Sequence, residues 1–170
     1  MIIRTERLLL RPWREEDREG MAQMCADPEV MWDYDRIDTR AESDSRLDRY
    51  RDAFDQLGFG RLAVIRSSDR LFLGYCGIMP VFAGHPMEPG VEIGWRLIRS
   101  QWGQGYASEA ARAALIDGYE RCGLTEVLSY TAAINLRSEA VMRRIGLVRE
   151  PSRDYVGLSG EPWVVYVGRP

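Results

Sequence analysis

Residues 90–134 read as three joined pieces. "GVEIGWRLI" is a run of β-branched and aromatic residues, "RSQWGQGYASEAARAAL" opens with two glycines and turns alanine-rich, and "EVLSYTAAI" is a second strand-like run. The alanine-rich piece predicts a helix of about 16 residues ending near Gly123. Within the order ββαβα of the second half, this succession implies a mixed sheet with at least one parallel crossover. No other stretch narrows the fold as much.

The remaining segments alternate in type around that unit. "RLLLRPW" is a first strand, and "REEDREGMAQMCAD" a helix with acids in its first turn, ended by Pro28. Residues 40–57 form a second helix, because Leu47, Tyr50, Phe54 and Leu57 recur at spacings of three and four. "FGRLAVIRS" and "LFLGYCGIMPVF" are strands joined by the polar turn "SSDR". "LRSEAVMRRI" is a short helix stopped at Gly146, and "LVRE" and "PWVVYVG" supply the last strands. With 170 residues and neither a repeat nor a linker-like tract, one domain spans 1–170.

Composition removes whole classes of chemistry. Every one of the 23 basic residues is arginine, which excludes a P-loop lysine and any lysine imine. The net charge of −3 offers no global basic field for nucleic acid. His85, the only histidine, cannot form a two-histidine metal site, and within "AGHPMEPG" it reads as an exposed loop residue. Cys25, Cys76 and Cys122 lack a CxxC pair and read as reduced, mostly buried thiols. The opening "MIIRTERLLLRPW" breaks its apolar runs with arginine and glutamate, so neither a signal peptide nor a membrane span is expected and a cytoplasmic location follows. "DYDRIDTRAESDSRLDRYRDAFD" carries eight acids against five arginines, as either a solvated helix or an acidic rim for cationic amines.

A glycine turn into a helix leaves the first-turn N–H groups unpaired and aimed outward, where an anion fits. "WGQGYAS" is not a Rossmann fingerprint, since Ser108 stands where the third glycine belongs, and it lacks the GK[ST] of a P-loop. By itself it is a phosphate cradle or a plain turn. The whole chain, however, resembles the GNAT superfamily of N-acetyltransferases, in the branch acting on N-termini of ribosomal proteins (RimJ/RimL type). The resemblance is carried by "TERLLLRPWREED", "ADPEVMWDY", "GVEIGWRLIRSQWGQGYASEA" and "NLRSEAVMRRIGL".

That resemblance implies an α/β (α+β) fold with a mixed, mostly antiparallel sheet of about 6–7 strands flanked by about four helices. It implies acetyl-CoA as cosubstrate, no metal, and an amine-bearing acceptor such as a peptide N-terminus or a small amine. Nucleic acid and membrane are not expected partners, and a homodimer is compatible. The cofactor residues it implies are Leu97, Ile98, Gly103, Gln104, Gly105, Tyr106, Ala107, Ser108, Asn135 and Arg144, with Trp102 departing from the family's [Q/R]xxGx[G/A] pattern. Asn135 is equally an N-cap. Arg99, Arg137 and Arg143 are further cations by sequence.

Acetyl transfer sets three tasks: the ammonium loses a proton, the oxyanion is stabilised, and the thiolate is met by a donor. Glu92 is assigned the first, with a structural pair to an arginine such as Arg96 as the alternative; a backbone N–H near Trp95 to Ile98 takes the second. Met142 stands where many members have tyrosine and cannot donate, so Ser138 takes the third as hydrogen-bond donor or water relay. Trp32, Tyr34 and Trp95 are assigned to the acceptor pocket, with Asp33 or Asp35 able to meet an ammonium. A CoA-binding sensor without turnover is the alternative function, and a nicotinamide oxidoreductase a third.

Overall fold

The computed structural model describes residues 1–33 and 36–170. Nine strands form one sheet: β1 (Ile3–Arg4), β2 (Leu8–Arg11), β3 (Arg61–Arg66), β4 (Phe72–Pro80), β5 (Val91–Leu97), β6 (Val127–Ala132), β7 (Val148–Arg149), β8 (Tyr155–Val156) and β9 (Pro162–Gly168). Four helices flank it: α1 (Asp17–Cys25), α2 (Arg40–Leu57), α3 (Tyr106–Glu120) and α4 (Leu136–Arg144). The strand order is β1-β2-β3-β4-β5-β6-β9-β7, with β8 also on β9. Among the described residues only β5 and β6 pair in parallel, across the α3 crossover, as the strand–helix–strand reading implies.

Alternation along the strands sorts the core into two faces. Leu62, Val64, Ile93, Val164 and Tyr166 pack under α3 and α4 with Ala110, Ala114 and Met142. Leu9, Ala63, Ile65 and Tyr75 pack under α1 and α2 with Met21, Met24 and Leu47. A smaller patch of Val81, Leu128, Val165 and Val167 continues that second face beside Tyr130 and Tyr155.

Three details differ from the sequence reading. The first helix starts at Asp17 rather than at residue 14, because the Asp17 carboxylate accepts the Arg14 N–H at 2.8 Å and forms a buried two-point pair with Arg11. The sheet gains β1 and β8, two-residue pieces too short to leave a periodic signal. His85 is not an exposed loop histidine but 9% exposed. Its ring stacks on Tyr130 at 4.4 Å, and its Nε2 lies 3.0 Å from the Tyr155 hydroxyl.

From Arg40 on, the acid-rich stretch is a helix whose acids are paired with arginines. Thr39 and Glu42 cap α2 reciprocally. Arg40 pairs with Asp44, Arg46 with Asp38, and Arg18 of α1 with Asp48. Among the described residues, no helix is long and apolar enough to cross a membrane.

Candidate active site

The site begins where the sheet divides. β5 and β6 share one register pair, Glu92 with Leu128, and just beyond it the Ser129 hydroxyl donates to the Ile93 carbonyl at 3.0 Å. The Ile98 N–H donates to Leu73 O at 2.8 Å, so alternation turns the Arg96 and Gly94 backbone toward β4 and that of Trp95 and Leu97 toward β6. With β6 diverging there, Trp95 and Leu97 border an open cleft of about 790 Å³. The size is that of a pocket for a large small-molecule ligand.

At its far end the cleft meets the start of α3. Gly103 and Gly105 sit at φ 76° and 82°, left-handed conformations that cost a residue with a Cβ about 1–2 kcal/mol. A Cβ at Gly103 would meet nothing within 4 Å, so this glycine is needed for the bend and not for fit against protein. No side chain caps the helix, which leaves its first-turn N–H groups facing the space bordered by Gly103, Gly105, Tyr106, Ala107 and Ser108. Arg112, Arg137 and Arg144 line the same cleft. An uncapped helix end ringed by guanidinium groups fits a diphosphate.

Trp102, where the family pattern has a polar side chain, has a structural use. Its indole N–H donates to Leu97 O at 2.8 Å, and the Arg137 guanidinium lies 4.2 Å from its ring centre. Arg112 links α3 to α4 by donating to Arg144 O at 2.6 Å, and the sequence reading missed it because nothing in "SEAARAAL" separates it from a surface arginine. Of the other arginines weighed, Arg99 turns to Asp27 and Arg143 to Glu139 and Tyr166.

On α4, Asn135 is the N-cap, accepting the Ser138 N–H at 3.2 Å and donating to the Thr131 hydroxyl at 2.9 Å. Both Asn135 and Ser138 line the cleft, and among the described residues the Ser138 hydroxyl has no protein partner. Met142 is 1% exposed in the core beneath α3 and α4, away from any departing group in the cleft.

The cleft thus gathers Trp32, Trp95, Leu97, Gly103, Gly105, Tyr106, Ala107, Ser108, Asn135, Ser138 and Arg144. Glu92, Ile98 and Gln104 are not among its lining residues. Ile98 packs toward α1 and α2 with its N–H spent on Leu73, which removes it as an oxyanion donor, and the Gln104 amide turns to Ser100 and Gln101. Tyr34 and Asp35 lie outside the described residues. Asp33 is engaged by Arg96 through two bonds of 2.9 Å.

Glu92 lies at the apex of the fork, on the face opposite Ile93, and pairs with Arg61 of β3 rather than with Arg96. The alternative of a structural arginine pair is thus present, with Arg61 as the partner in place of Arg96, since four residues along a strand separate Cα atoms by about 13 Å. Burial alone would lower the Arg61 pKa, but the Glu92 charge outweighs it and holds the guanidinium above its ordinary value.

An anion cradle at the end of a split mixed sheet suits a phosphate-bearing ligand, and the family model says which. The family model described as "Acetyltransferase (GNAT) domain" matches residues 7–148, and the chain belongs to that family of acetyl-CoA-dependent N-acetyltransferases. The FsC-acetyl coenzyme A-N(2)-transacetylase of Aspergillus fumigatus is 33% identical over 152 residues, covering 85% of this chain and 64% of the fungal protein, so the chain spans under two thirds of that relative. A crystal structure of an acetyltransferase from Agrobacterium tumefaciens is 28% identical with a TM-score of 0.83, covering 100% of this chain and 95% of that one. RimL, a ribosomal L7/L12 alpha-N-protein acetyltransferase solved with coenzyme A, has a TM-score of 0.78 over 99% of this chain and 98% of its own. At 18% identity that likeness is one of fold alone.

Proposed function

We propose that this protein moves an acetyl group from acetyl-CoA to a primary amine, a peptide N-terminus or a small amine, by direct attack of the amine on the thioester. One observation carries the reading: the cleft runs from the uncapped start of α3, ringed by Arg112, Arg137 and Arg144, to Trp95 and Leu97 at the diverging end of β5. An anion grip at one end of the cleft suits a long, phosphate-bearing donor, and Glu92 stands three residues before Trp95 on the strand that borders the other end.

Each group then has a task. The N–H groups of residues 106–108 hold the diphosphate against the helix dipole. Acetyl-CoA supplies the activated acyl group. The N–H of Trp95 or Leu97, directed toward the cleft, stabilises the negative charge that develops on the carbonyl oxygen. Glu92 draws in the ammonium and takes its proton directly or through water. Ser138 meets the departing sulfur as a hydrogen-bond donor, being too weak an acid to do more. Trp32 and Trp95 flank the acceptor.

The test monitors thiol release from acetyl-CoA with peptides bearing free N-termini, free amino acids and polyamines. Turnover in the wild type should fall about 10²-fold or more in Glu92→Gln and about tenfold in Ser138→Ala. CoA affinity, measured by calorimetry, should persist in both. A wild type that binds CoA yet acetylates none of the panel would overturn the reading in favour of a sensor, and a rise in melting temperature with NAD but not with CoA would favour a dinucleotide enzyme.

A further inference from the structure

Glu92 is held by an arrangement that crosses three strands. Arg61 on β3, Gly77 on β4 and Gly94 on β5 stand in one register row, on the face that packs under α1 and α2. The Arg61 guanidinium runs along that row, donates to Gly77 O in passing and ends on the Glu92 carboxylate. Its side chain is only 9% exposed, and that of Glu92 is 16% exposed. A Cβ at Gly94 would lie 2.7 Å from Arg61 Nη2, 3.1 Å from its Cζ and 3.4 Å from Glu92 Oε2. Gly94 is therefore the gap through which the arginine reaches the carboxylate. The Trp13 indole fixes the base of the arrangement by donating to Arg61 O at 2.7 Å.

We infer that Arg61 is a positioning residue for acetyl transfer, fixing the direction of the Glu92 carboxylate on the face of β5 that it reaches through the gap at Gly94. The inference rests on the role proposed above for Glu92. A planar guanidinium bound at both a carbonyl and a carboxylate fixes direction as well as charge, which a freely rotating carboxylate would lack. The groups whose charge reaches Glu92 or Arg61 come from each surrounding element: Tyr50 of α2, Tyr75 and Cys76 of β4, His85 of the following loop and Tyr155 of β8. Among these described neighbours, Arg61 is the cation.

Gly94→Ala tests this without altering either charge. The side chain that must yield is the flexible end of Arg61, and Gly94 is not in the left-handed region, so folding and CoA affinity should persist. A displacement of the carboxylate by about 1 Å should lower kcat about 10- to 100-fold. Arg61→Met should do the same where it folds, and because it strands a buried charge, Arg61→Met is also made with Glu92→Gln. In that background neither Gly94→Ala nor Arg61→Met should cost anything more, whereas a merely structural arginine would multiply its loss onto that of Glu92→Gln. Wild-type kcat in folded Gly94→Ala, or losses that multiply, overturns the inference. Crystal structures of wild type and Gly94→Ala add a readout free of turnover: an unmoved Glu92 carboxylate also overturns it, while a wild type inactive toward every acceptor overturns the parent reading instead.

Discussion

His85 holds its proton on Nε2. The Met87 N–H donates to its Nδ1 at 3.1 Å, so Nδ1 carries a lone pair and Nε2 donates to the Tyr155 hydroxyl. Burial lowers its pKa below 6.5, opposed by the Glu92 charge. With the folded value depressed, the unfolded chain binds the extra proton. The contribution to stability is therefore complete above the unfolded value near 6.5 and declines as pH falls below it. Urea midpoints at pH 5 and pH 7 should separate more in the wild type than in His85→Asn, and equal separations would refute the assignment. Nothing in "AGHPMEPG" could have shown this, because Tyr130 and Tyr155 reach the ring from strands far along the chain. Glu92 was legible as to strand face but not as to partner, since Arg61 comes to it from two strands away in the sheet.

Among the elements, helices announced themselves best. The second helix was expected at residues 40–57 and spans Arg40–Leu57, since Thr39 and Glu42 form a capping box and Gly58 closes it at φ 74°. Thr39→Ala removes the side-chain half of that cap and should cost about 1 kcal/mol. The melting temperature should fall by about 2–4 °C in calorimetry, and no change would mean that the helix is held by its arginine ties alone. The last strand was also read with its observed bounds, Pro162–Gly168, while β1 and β8 left no trace. The glycine turn was legible as a bend. What it served became readable only with α4 beside it, because Arg137 and Arg144 come from that helix.

For the whole molecule, the crossover between β5 and β6 settled the architecture, since one parallel pair inside an otherwise antiparallel sheet separates the chain into two wings. One wing holds β1–β5 with α1 and α2, the other β6–β9 with α4, and α3 bridges them. The periodicity of the sequence conveys each wing. It does not convey the divergence between them, which depends on where two strands stop touching.

That divergence has a consequence for amide hydrogen exchange. Along β5 the N–H groups alternate between β4, which satisfies them, and the gap, where β6 has moved away. In the free protein, the amides of Trp95 and Leu97 should exchange their hydrogens with solvent far faster than those of Arg96 and Ile98, although all four residues belong to one continuous stretch of chain. Saturating CoA should slow Trp95 and Leu97 selectively, joining the wings across a seam the protein leaves open. Equal protection of all four amides in the free protein would show that the strands close on each other in solution.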